Sequence, residues 1–151
     1  MSSSDLEQVI ELNHRAVDAF MKGDPEPLKS LYSRSDDVSL ANPFGPPARG
    51  WGEVASTMER AALNYRDGEA TAFERVSACA TPELAYILEL EQFRLRVGGG
   101  DETAEFALRV TTIFRREHGA WRIVHRHADP ITSPQPPESV LLSAPEPPMT
   151  A

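Results

Sequence analysis

An α+β fold is predicted for this chain: three N-terminal helices packed on a strongly curved, mainly antiparallel sheet, with a cone-shaped pocket between the two layers. Two observations carry the prediction. Up to Tyr65 the apolar side chains recur at helical spacing, and beyond Gly68 the period becomes that of strands joined by short turns. A third observation points to the pocket. Residues 42–50, Asn-Pro-Phe-Gly-Pro-Pro-Ala-Arg-Gly, stand between a short β-type run and a helix, and their prolines force the chain to turn there.

The elements follow in order. Leu6, Ile10, Asn13, Val17, Phe20 and Met21 mark a first helix whose start Ser4 or Asp5 can cap, and Gly23-Asp24-Pro25 stops it. Pro25 suits the first turn of a second helix over residues 26–32, with Leu28, Leu31 and Tyr32 on its apolar side. Residues 37–41 alternate as a strand does. From Gly50 a third helix carries Trp51, Val54, Ala55, Met58, Ala61, Ala62 and Tyr65 on one stripe, ending near Asp67-Gly68. Residues 69–80, 83–97, 102–117 and 120–129 then read as four strands, with Gly98-Gly99-Gly100 as a hairpin connection. The domain is thus expected to span residues 1–129. Residues 130–151, with seven of the thirteen prolines, form an extended or disordered tail that only Val140, Leu141 and Leu142 could anchor.

Composition narrows the function. A chain of 151 residues suits one domain, and a formal charge of −8 repels phosphate backbones and anionic lipid, so neither nucleic acid nor a membrane is expected as partner. The start of the chain lacks a basic segment followed by an apolar run, and a cytoplasmic protein is expected. Cys79 is the single cysteine, read as a small packing residue in its strand. His125-x-His127 could supply two ligands from a strand, but no third has diagnostic spacing, so no metal is expected. There is no Gly-x-Ser-x-Gly elbow, phosphate loop or dinucleotide fingerprint, and no cofactor is expected.

The last hairpin holds the chemistry. Its turn can close in two registers, and Gly119 favours a three-residue bulged loop in which Arg116 pairs with Ala120. In that register Arg115 faces Trp121, Ile113 faces Ile123, Thr111 faces His125 and Arg109 faces His127, all eight on one face. Arg109, Thr111, His125, His127 and Asp129 then form a polar group that either lines the cone or faces outward. In the cone, Arg109 needs a carboxylate such as Asp129, Glu89 or Glu91, a ligand anion or water. His14 lies on or beside the apolar stripe of the first helix and reads first as a core histidine.

The order of Gly23-Asp24, Leu31-Tyr32, Asn42-Pro-Phe-Gly, Gly50 and the closing Gly119-x-Trp-Arg-Ile-Val-His-x-His127 resembles the SnoaL-like and ketosteroid-isomerase-like proteins of the nuclear-transport-factor superfamily, with their cystatin-like cone. The resemblance spans residues 5–129. It implies a pocket and equally implies a departure from steroid isomerisation. Asn42 stands where the isomerases carry a proton-shuttling aspartate, and their oxyanion tyrosine and neutral aspartic acid fall near Ala16 and Thr111. Tyr32 alone matches a family tyrosine.

Three readings follow. In the first, the cone binds a small, mostly apolar or carbonyl-containing molecule, with Phe20, Tyr32, Phe44, Trp51, Met58 and Tyr86 as walls and Asn42, Arg109 and His127 as polar anchors; His14 and Thr111 complete the candidate set. In the second, an isomerase, cyclase or hydrolase uses His127 as acid or base, oriented by Asp129 or another carboxylate, with Arg109 or Asn42 stabilising negative charge. In the third, the protein is a ligand-free interaction module. A homodimer through the sheet is expected under all three.

Overall fold

The computed structural model describes residues 3–96 and 102–142. Helix α1 (Ser3–Met21) and the short α2 (Glu26–Leu31) are followed by strand β1 (Ser39–Ala41), a two-residue strand β2 (Ala48–Arg49), helix α3 (Trp51–Ala62), and strands β3 (Glu69–Ala80), β4 (Leu84–Arg96), β5 (Thr103–Glu117) and β6 (Ala120–Asp129). The strands form one curved, unclosed sheet in the order β2-β1-β6-β5-β4-β3, antiparallel except where β1 runs parallel to β6. The three helices cover one face. This is the α+β cone that the pattern of periods predicts.

Several boundaries differ for physical reasons. Helix α1 already includes Ser4 and Asp5, so neither precedes it as a cap, and Asp5 instead places a negative charge in the first turn. Helix α3 ends at Ala62, and the chain tightens so that the Tyr65 N–H donates to the Ala62 carbonyl at 3.1 Å. The prolines of residues 43–47 turn the chain back on itself, and β2 pairs antiparallel with β1, a hairpin too short for periodicity to reveal. Gly98-Gly99-Gly100 lies outside the described residues. Cys79 is exposed on the outer side of an edge strand rather than packed. A single turn of 3-10 helix, Pro137–Val140, follows the domain, and Val140, Leu141 and Leu142 are exposed. Among the described residues no helix is long and apolar enough to cross a membrane.

The core lies between the helices and the inner sheet face. One cluster gathers Ile10, Tyr32, Ile87, Phe114 and Ile123; a second, toward the open end, gathers Val17, Met21, Tyr65, Phe93, Leu108 and Val110. Removing each such side chain from water stabilises the fold by roughly 1.5–3 kcal/mol.

The register of the last hairpin corrects the expected one. Glu117 pairs with Ala120 across a two-residue turn in which His118 and Gly119 both have positive φ, 51° and 82°. Arg116 therefore pairs with Trp121, and Phe114 with Ile123. A bulge at Val124 then shifts the ladder, so that Ile113 meets His125, Thr111 meets His127 and Arg109 meets Asp129. Trp121 and Ile123 point into the core, while Arg109, Thr111, His125, His127 and Asp129 do share a face. That face is the outer one.

Candidate functional site

A cavity opens where the second core cluster meets the loop after β1. It leaves about 50 Å³ of room for water-sized spheres, and about 500 Å³ counting all unfilled space, open solvent at the mouth included. Helix α1 contributes Val17, Phe20 and Met21, α2 Leu28, α3 Met58 and Ala61, and the sheet Leu40, Leu108 and Ala128. Phe44, 62 % exposed, stands at the mouth and leans toward Tyr65, their ring centroids 6.4 Å apart. The polar groups in this apolar wall are Asn42, Tyr65 and Arg126.

Each is held by its local chain. Asn42 begins an Asx turn in which its Oδ1 accepts from the Phe44 N–H at 2.9 Å, which occupies its carbonyl and fixes the loop. Tyr65 follows the end of α3 and is nearly buried. Burial raises its phenol above the ordinary tyrosine range, and the Arg126 charge works the other way. Arg126 is turned inward by the bulge at Val124. Its Nη1 and Nη2 donate to Glu91 Oε2 and Oε1 at 3.0 and 2.7 Å, a bidentate pair in which both side chains are buried. Burial opposes the guanidinium charge, and Glu91 more than offsets that, so its affinity for the proton is raised.

Behind this pair lies a second buried carboxylate. Glu89 sits two residues along β4 on the same face, where it accepts from His14 Nε2 at 2.7 Å and Arg75 Nε at 2.8 Å. Burial would raise its pKa, but these two hydrogen bonds outweigh it and hold the carboxyl below its usual range. The His14 ring stacks on Phe73, centroids 3.9 Å apart. His14 is thus held against Glu89 and Phe73, away from the cavity.

One neighbouring group is anomalous. Asn13 on α1 has no exposed surface, and neither amide atom has a hydrogen-bond partner among the described residues. An unpaired buried polar group costs about 1–3 kcal/mol. Asn13→Ala, which removes the amide without adding bulk and favours the helix, is therefore expected to raise stability by about 1 kcal/mol in urea unfolding; a loss would show that the amide has a partner in solution.

The structure distributes the other predicted residues as follows. Phe20, Asn42, Phe44 and Met58 line the cavity. Tyr32 is wholly buried beside it, its hydroxyl donating to the Ser39 carbonyl at 3.1 Å. Trp51 packs between Tyr32 and the Arg34 guanidinium, which lies 3.9 Å from the ring centroid. Tyr86 is 39 % exposed on the outer sheet face. Arg109, Asp129 and His127 are brought together: Arg109 Nε and Nη2 donate to Asp129 at 3.0 and 2.9 Å, and His127 Nε2 lies 3.2 Å from Asp129 Oδ2. Thr111 pairs with His127 beside them. Because the Arg109 side chain is 51 % exposed on the face opposite the helices, a pocket role for it is dropped. Half-buried His125 has its pKa lowered by burial and by His127, and its Nδ1 lies 2.7 Å from Ser39 Oγ.

Tyr65 and Arg126 are the site residues that sequence reasoning missed. Tyr65 was visible as an apolar-stripe residue, and Arg126 was hidden by the bulge. Among the described residues no cluster of three or more His, Cys, Asp or Glu could hold a metal ion.

Helices on one face of a curved, unclosed sheet, with an apolar cavity between them, define the cystatin-like fold of the nuclear-transport-factor superfamily. The chain belongs to the SnoaL-like domain family, whose profile matches residues 9–132. Solved structures share the fold. An NTF2-like family protein of Streptomyces avermitilis, named provisionally as a dehydratase, is 23 % identical over 88 % of this chain and 100 % of its own, with a TM-score of 0.75. A nuclear transport factor 2-like superfamily protein of Salmonella enterica serovar Typhimurium is 19 % identical over 91 % and 99 %, TM-score 0.69. An NTF2-like protein with a cystatin-like fold from Novosphingobium aromaticivorans is 19 % identical over 87 % and 84 %, TM-score 0.65. No curated protein matches the chain.

Proposed function

We propose that this SnoaL-like protein binds a small, mostly apolar molecule in its cone and performs no acid–base chemistry there. The observation that carries the reading is the composition of the wall: fourteen residues line the cavity, and none is an aspartate, glutamate or histidine. Its ionisable groups are a guanidinium already paired with Glu91 and a phenol raised by burial, neither of which takes a proton at neutral pH. Dehydration, isomerisation and cyclisation all need such a base. The room of about 50 Å³ for water-sized spheres suits only a few heavy atoms, so a larger ligand enters by displacing Phe44, the exposed ring at the mouth.

The His127–Asp129–Arg109 group lies on the outer sheet face, across the sheet from the cavity, so it does not reach a ligand held in the cone. The proposed partner for that face is a second copy of the chain, since Val76, Leu84 and Tyr86 leave apolar surface there. The reading places the protein in the cytoplasm, where a lone exposed thiol such as Cys79 stays reduced.

Native followed by denaturing mass spectrometry of the purified protein reads assembly and bound mass together. The expected result is a dimer that retains a small molecule or takes one up from a panel of apolar compounds. A protein that stays monomeric at micromolar concentration removes the dimer, and one that binds no member of the panel removes the ligand.

A further inference from the structure

Apart from Asn42, whose carbonyl is taken by the Phe44 N–H, the polar groups of the cavity wall are two hydrogen-bond donors from different elements. Tyr65 comes from the turn after α3 and Arg126 from β6. Tyr65 is 8 % exposed, and among the described residues its hydroxyl makes no hydrogen bond and is not cut off from solvent. Its hydroxyl proton is therefore free to be donated to a ligand acceptor at the cavity. Arg126 carries five N–H donors and directs two bonds to Glu91, so donor capacity is left over toward the cavity.

Charge decides what kind of acceptor belongs there. Glu91 has no exposed surface and Glu89 has 2 %, so two carboxylates lie buried behind the donors. Arg126 is neutralised by the first, and Arg75 with His14 is engaged by the second. The site offers directed N–H and O–H dipoles and no unbalanced positive charge. An anionic ligand would give up its hydration and meet a guanidinium already paired, with two buried carboxylates beyond it. A neutral oxygen gives up far less.

We propose that the ligand presents an uncharged carbonyl-type oxygen, a ketone, aldehyde or amide, that accepts from the Tyr65 hydroxyl and the Arg126 guanidinium while its apolar body lies against Val17, Leu28, Met58 and Leu108. This rests on the cavity being a binding site, as argued above, and adds which end of the ligand is recognised and by what. A site of this kind distinguishes a ketone from both the corresponding acid and the corresponding hydrocarbon.

Three probes sharing one ring separate these features: acetophenone (neutral carbonyl), benzoate (anion) and ethylbenzene (no acceptor). Each is titrated against the wild-type protein and Tyr65→Phe, with backbone amide shifts as readout and thermal unfolding as the check that the variant folds. Acetophenone is expected to bind about tenfold more tightly than ethylbenzene, the effect of one net hydrogen bond of about 1.4 kcal/mol, and benzoate more weakly than either. Tyr65→Phe is expected to remove most of the ketone's advantage and leave ethylbenzene unchanged. Benzoate binding most tightly, ketone and hydrocarbon binding equally, or a Tyr65→Phe loss shared by both would each overturn the two-donor site while leaving an apolar cavity in place. If none of the three shifts the cavity residues at millimolar concentration, the cavity reading falls and this inference with it.

Discussion

Arg126→Met is expected to destabilise the protein by about 3–5 kcal/mol, the cost of leaving a buried charge without its partner. That is a large share of the roughly 5–15 kcal/mol that holds a domain of this size together. The reason is asymmetric burial. Glu91 has 0 % exposure and both its oxygens point at Arg126, so removing the guanidinium strands a carboxylate that no water reaches. Glu89 is different, because its partners Arg75 and His14 keep 34 % and 24 % of their side chains exposed and can turn back to solvent. The double variant Arg126→Met/Glu91→Leu removes both charges and is expected to recover most of the loss, since apolar groups of similar size replace a buried pair at little cost. Urea unfolding of the single and double variants tests this. Equal destabilisation of the two would mean that the guanidinium matters for its packing, and the electrostatic account would fail.

Arg126 is also where the sequence is hardest to read. Helix periods, the switch to strands after Gly68 and the spans of β3 and β6 are carried by side-chain alternation, which local sequence displays directly. Which face of β6 is inner depends on an irregularity. With Phe114 against Ile123, an unbulged ladder would continue His125, His127 and Asp129 on the core side. The extra residue Val124 reverses the parity, sending both histidines outward and bringing Arg126 and Ala128 in. Nothing local marks Val124 as a bulge, and the neighbour that sets Leu40 beside Arg126, strand β1, is distant in sequence. Asn42, Phe44 and Met58 were legible as cavity residues because the proline-rich turn and the helix stripe fix their positions without reference to the sheet. Tyr86 followed the opposite course: its strand was legible, and its face was the outer one.

Gly23→Ala is expected to cost about 2–4 kcal/mol, combining left-handed backbone strain with a close approach to another segment's backbone. Gly23 ends α1 at φ +92°, its N–H donating to the Phe20 carbonyl at 2.9 Å, and a Cβ there would stand 2.8 Å from the Tyr65 carbonyl oxygen. Gly119 provides the control. It too has positive φ, +82°, but a Cβ there would meet nothing within 4 Å, so Gly119→Ala carries the strain alone, about 1–2 kcal/mol. The excess at Gly23 measures how firmly the end of α1 fixes the turn that carries Tyr65. Relief of that contact has to move the turn, since the obstructing atom is main chain. The Gly23→Ala protein, where it still folds, is accordingly expected to lose part of the acetophenone advantage over ethylbenzene, while Gly119→Ala, at the far hairpin, keeps it. Equal costs at the two glycines with ligand selectivity intact would mean that the Tyr65 turn is positioned by other contacts. Concerted loss at Gly23 would tie the length of α1, which ends where this glycine sits, to the geometry of the donor pair in the cone.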